Sequence, residues 1–124
     1  MWTYLGVAAG GIVGCCARYG VTQLVQLVYG KNFPVATLII NILGCFLMGF
    51  LFFETLDRLS ISPTLRTAIL TGGLGGFTTF STFTMETFLL FEDGEIGYSV
   101  MYLFLSVFLG LLAAALGAYI SRNL

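Results

Sequence analysis

The sequence predicts an all-α integral membrane protein: four transmembrane helices, the third broken mid-membrane. Three observations carry this. Hydrophobic residues make up 58% of the 124, and mean hydropathy is +0.99. Only five Lys or Arg and six Asp or Glu are present, 9% of the chain. Soluble domains have about a quarter of their residues charged, so this chain could not cover a water-facing surface. Apolar stretches long enough for the roughly 30 Å hydrocarbon core recur four times. The same composition excludes other classes. Three cysteines are too few, and odd, for a secreted disulfide scaffold. The apolar content excludes disorder. Five scattered cations make no basic patch, so no nucleic-acid partner is expected.

The first predicted span covers residues 2–29 and the second 33–53. The third covers 63–91 and the fourth 97–121. Their connections are short, leaving one membrane domain with no room for a soluble one. The N-terminus lacks the basic n-region of a cleavable signal, and its apolar run is too long for one. With both termini inside, Arg58, Arg66 and Arg122 lie inside and Lys31 outside. This weak bias in so small a protein allows insertion in both orientations. Four helices make a thin bundle that cannot enclose a wet path alone, so transport would need a dimer. Gly6, Gly10 and Gly14 form a G-x-x-x-G series suited to close helix contact, between copies or within one chain.

Polar residues inside the spans are costly in lipid and face a bundle interior or a wet cavity. In the first span Arg18, Thr22 and Gln26 continue the glycine series at intervals of four. Arg18 reads as a snorkelling anchor or ion-pair member, or as a positive charge that draws anions into a vestibule. In the second span Thr37 and Asn41 share a face, followed by Gly44, Cys45 and Gly49. Asn41 offers two amide donors, either to an anion or to another helix. Cys15, Cys16 and Cys45 read as apolar fillers, since their spacing suits no zinc site.

The third span is the most informative: Thr71-Gly72-Gly73-Leu74-Gly75-Gly76-Phe77-Thr78-Thr79-Phe80-Ser81-Thr82-Phe83-Thr84-Met85-Glu86. Four glycines in five residues weaken a helix, each by about 1 kcal/mol relative to Ala. At membrane depth a break is tolerated only if protein, ion or water satisfies the freed backbone groups. A break is therefore expected near 75–79, with carbonyls suited to a cation and a following half-helix presenting its amides. A phosphate loop is excluded because no Lys follows the glycines. Beyond the break Phe77, Phe80 and Phe83 recur every three residues among the hydroxyls of Thr78, Thr79, Ser81, Thr82 and Thr84. Electropositive ring edges and hydroxyls can pass an anion through weak sites. The competing reading is a packing stripe with hydroxyls bonded back to i−4 carbonyls. Glu86, one turn past Phe83, is suited to pairing with Arg18, to bonding hydroxyls or to proton coupling. The fourth span carries Ser106, Gly110, Ala114 and Gly117, which suit close packing.

The run Gly75 to Glu86 resembles the signature of the Fluc fluoride channels, also called the CrcB family. The resemblance extends along the chain. It includes Gly10-Gly11-Ile12-Val13-Gly14-Cys15-Cys16-Ala17-Arg18, Thr37-Leu38-Ile39-Ile40-Asn41 and the Thr71-Gly72 lead-in. It implies a fluoride-selective passive channel in the inner (plasma) membrane, built as an antiparallel dual-topology homodimer with two pores. It implies that Phe80 and Phe83 meet fluoride with their ring edges. Asn41 would be the pore amide donor, and Thr37, Ser81 and Thr82 part of a hydroxyl track. Gly75 and Thr78 would offer carbonyls to a structural sodium ion at the dimer interface. Arg18 and Glu86 match the vestibule and pore network, to which Ser106 is added. The chain departs from the pattern on its last helix, where Gly110 and Ala114 stand in place of hydroxyls. A heterodimer with a related subunit, as some members form, stays open.

Two other classes compete. A four-helix proton-coupled multidrug transporter shares the size, but it wants a carboxylate in the first helix, where this chain has only Arg18. A non-transporting assembly subunit explains the glycines but not the Phe and hydroxyl pattern. An enzyme is not expected, as there is no His, metal cluster or nucleophile–base pair.

Overall fold

A computed structural model describes all 124 residues, Met1–Leu124. The fold is all-α. Helix α1 covers Trp2–Tyr29 and ends at Gly30, whose φ of 74° a side-chain-bearing residue rarely adopts. Pro34 precedes α2, Val35–Phe53. Its missing N–H is harmless just ahead of a helix. The helix runs on through a π-helical turn, Glu54–Arg58. Helix α6 covers Ile96–Arg122. These three helices, Trp2–Tyr29, Val35–Arg58 and Ile96–Arg122, are long and apolar enough to cross a membrane.

The segment between them is pieced together. Ser62 starts it, its Oγ accepting the Leu65 amide at 3.1 Å ahead of α3, Pro63–Thr67. A π-helical stretch follows, Ala68–Leu74, then the single turn α4, Gly75–Phe77. Thr78 (φ −84°, ψ 161°) and Thr79 (φ −150°, ψ 119°) are extended. Helix α5 covers Phe80–Glu92. The extended residues, Thr78 and Thr79, fall within the stretch 75–79 where a break is expected, while the glycines before them are wound as helix.

Packing explains the glycines. Helix α1 lies along Ala68–Leu74, and α2 lies along α6. A Cβ at Gly10 would collide with the Ala68 carbonyl, and one at Gly14 with the Gly73 carbonyl. The Gly6, Gly10 and Gly14 series is therefore used within the chain. On the other pair, a Cβ at Gly49 would strike the Ala114 carbonyl, and one at Gly117 the Phe46 carbonyl. The fourth-span residues that suit close packing thus sit where α2 crosses α6.

The interior is small. Phe83, Leu90 and Tyr102 form a buried cluster that Phe33 and Leu38 cover. Large apolar side chains such as Leu24, Leu27, Phe104 and Leu111 are exposed along the helices. That surface suits lipid or another chain rather than water. At one end Glu54 accepts hydrogen bonds from Ser121 Oγ at 3.0 Å and Arg58 at 3.3 Å. Arg66 donates to Thr55 Oγ1 at 3.0 Å and to the Phe52 carbonyl at 3.1 Å. These bonds tie the end of α2 to α6 and to the start of the third segment.

Candidate ion pathway

The interruption is held by side chains. Asn41, near the middle of α2, accepts the Thr79 amide through Oδ1 at 2.9 Å. Its Nδ2 donates to the Thr79 carbonyl at 3.0 Å. One carboxamide thus satisfies both backbone groups of an extended residue that has no ladder of its own. Thr79 in turn caps α5. Its Oγ1 accepts the Thr82 amide at 3.2 Å and donates to Thr82 Oγ1 at 3.0 Å. In a continuous helix the Thr79 amide would go to the Gly75 carbonyl, and the Thr82 amide to that of Thr78. Both donors are diverted here. The Gly76 carbonyl is taken by Arg18 Nε at 3.1 Å.

Two cavities flank this joint, and Thr79 lines both. The polar one, about 370 Å³, is lined by Arg18, Thr22 and Gln26 of α1, Thr37 of α2, and Thr82 and Glu86 of α5. The other, about 320 Å³, is lined by Asn41, Thr78, Phe80, Phe83 and Ser106. Phe80 and Phe83 have ring centroids 5.9 Å apart with planes tilted by 59°. Phe83 is buried while Phe80 is 78% exposed, so within one chain only part of this cavity has a wall. The Ser106 hydroxyl is enclosed and has no hydrogen-bond partner. Helix α5 has no acid in its first turn, so the partial positive charge of its N-terminus is uncompensated beside both cavities.

The expected site residues thus divide. Arg18, Thr37, Thr82 and Glu86 meet in one cavity, and Asn41, Phe80, Phe83 and Ser106 in the other. Ser81 is exposed and lines neither, as does Gly75. Glu86 and Arg18 do not pair; Arg18 Nε donates to the Gly76 carbonyl. Glu86 Oε1 instead accepts the Tyr102 hydroxyl at 3.1 Å, the hydroxyl-bonded alternative. The back-bonding reading holds for Thr78 and Thr84, whose hydroxyls donate to the Leu74 and Phe80 carbonyls, and Thr87 donates in the same way to that of Phe83. It fails for Thr79 and Thr82.

Sequence reasoning missed two residues here. Tyr102 is fully buried, holds Glu86 and meets Phe83 edge-on at 5.2 Å. It lies four residues before Ser106, on the same helix face, which was a usable signal. Thr79 was counted only as one hydroxyl among five. Its signal is a Thr directly ahead of a helical run, a residue type that caps helix N-termini.

Residues 5–118 match the family model described as CrcB-like protein, Camphor Resistance (CrcB). A protein of Acidithiobacillus ferrooxidans named fluoride-specific ion channel FluC is 58% identical over 121 residues, covering 98% of this chain and 97% of its own length. One of the same name from Coxiella burnetii is 48% identical over 122 residues, covering 98% and 95%. Fluoride-specific ion channel FluC 1 of Moorella thermoacetica is 42% identical over 119 residues, covering 96% and 85%. With the family model spanning nearly the whole chain and relatives this similar along their length, the protein belongs to the CrcB family.

Proposed function

We propose that the protein is a passive fluoride-specific channel of the inner membrane, working as an antiparallel dual-topology homodimer. The observation that carries this is the neutral cavity of Asn41, Phe80 and Phe83, in a chain 58% identical to a protein named for fluoride conduction. Ring edges carry partial positive charge and bind an anion weakly, without the full charge that would trap it. After its two bonds to Thr79, Asn41 retains one Nδ2 proton as an anion donor. Phe80, Phe83, Asn41, Thr37, Ser81 and Thr82 are assigned to the pore, and Arg18, Glu86 and Ser106 to its vestibule and polar network. Tyr102 joins that network through Glu86.

The protomer's surface supports the dimer. Phe80 stands exposed and the aromatic cavity is open on one side, so a second copy is needed to enclose the path. The extended residues Thr78 and Thr79 then lie at mid-membrane, making the third segment a broken transmembrane helix. The carbonyls of Gly75 and Thr78 suit a structural sodium ion, because their helical donors are diverted to Asn41 and to Thr79 Oγ1. When bound, sodium would supply positive charge at those oxygens.

Transport needs no energy source. Fluoride enters from acid surroundings as neutral HF, dissociates near neutral pH and is trapped. An inside-negative potential drives the anion out at about 2.3 kcal/mol per 100 mV. The test uses liposomes loaded with potassium fluoride and carrying the purified protein. Fluoride should leave only when valinomycin lets potassium follow. Efflux that ignores valinomycin but needs a proton gradient would replace the channel with a coupled transporter.

A further inference from the structure

The geometry points to Thr79 as a positioning residue for the ion path, resting on the channel reading above. Four hydrogen bonds converge on it. Asn41 takes its amide and its carbonyl, and its own hydroxyl takes the Thr82 amide and donates to Thr82 Oγ1. Thr79 is also common to the walls of both cavities. Two consequences follow from the donors and acceptors. Thr79 joins Asn41, on the aromatic side, to Thr82, on the polar side, so the two groups cannot shift independently. And because Thr79 Oγ1 donates to Thr82 Oγ1, the Thr82 hydroxyl must aim its own proton elsewhere. The polar cavity lies beside it, and an anion there would receive that proton as a hydrogen bond. Without the Thr79 hydroxyl, Thr82 loses that constraint and is free to bond back to the Thr78 carbonyl as Thr78, Thr84 and Thr87 do to theirs. Its proton would then leave the path.

Thr79→Ser keeps the hydroxyl, and Thr79→Val keeps the shape without it. In fluoride-loaded liposomes with valinomycin, Thr79→Ser should conduct like the wild type. Thr79→Val should slow fluoride efflux by about tenfold or more. Thr82→Val should slow it to the same degree, with the double variant no slower than either single one, since both remove one unit. Thr79→Val at wild-type rate, or fully additive losses, would overturn the inference while leaving the channel reading intact. Retained fluoride in the wild-type liposomes would overturn both. Should Thr79→Val not assemble, hydrogen exchange on the wild type decides. Both the Thr79 and Thr82 amides should exchange slowly although they lie at an interruption, and fast exchange at either contradicts the arrangement.

Discussion

Phe80 and Phe83 share a cavity but differ in cover: Phe83 is 7% exposed and packed against Tyr102, Phe80 is 78% exposed. The two substitutions should therefore separate function from folding. Phe80→Ile removes a ring that the protomer core does not use, so it should abolish most fluoride efflux in liposomes while leaving the thermal midpoint in detergent unchanged. Phe83→Ile should lower both, because it disturbs the Phe83, Leu90 and Tyr102 cluster. Tyr102→Phe leaves Glu86 Oε1 without its donor. Fluoride efflux should fall by about tenfold, with chloride still excluded, if Glu86 must be held for passage. Unchanged efflux would remove Tyr102 from the polar network. At this scale the sequence was most legible where a residue type is costly in lipid. Asn41, Arg18 and Glu86 stood out for that reason. Tyr102 did not, because a tyrosine in an apolar helix is also ordinary filling, and its partner lies 16 residues away on another helix.

Glycines set the element scale. Gly10 and Gly14 let α1 touch the backbone of Ala68–Leu74, whereas Gly11 faces open space. Gly10→Ala and Gly14→Ala should each destabilise the protein by about 1–3 kcal/mol through overpacking. Gly11→Ala should be neutral or slightly stabilising through its better helix propensity. Thermal unfolding in detergent checks all three, and a neutral Gly14→Ala would contradict the packing of α1 on the third segment. The G-x-x-x-G spacing announced a close contact but not its partner, since spacing carries no address. The third segment was harder to read. Four glycines argued for irregular backbone, yet packing against α1 holds Gly72 and Gly73 in a π-helical stretch and Gly75 and Gly76 in an α-helical turn. The extended residues fall where Asn41 and the Thr79 hydroxyl supply alternatives to helical hydrogen bonds, which depends on α2 and is not a local property.

As a whole, the molecule is a thin sheaf with many large apolar side chains facing outward, one polar group gathered at the Thr79 joint and another at the Glu54 end. All-α class and membrane-crossing helices were legible from composition and the length of the apolar runs, because lipid forces every backbone group into helix. The antiparallel dimer is a property of two chains and needs its own test. With native cysteines replaced by alanine, Lys31→Cys should react with a membrane-impermeant maleimide on about half the molecules in intact cells. Complete labelling or none would mean a single orientation. The neutral path predicts selectivity as well as conduction: small, strongly hydrogen-bonding fluoride should pass between ring edges, amide and hydroxyls, and larger chloride should not. The most direct measurement compares fluoride and chloride efflux from liposomes bearing the purified protein, with valinomycin present in both. Rapid loss of fluoride with chloride retained is the predicted result, and equal efflux of both ions, or retention of both, would contradict it.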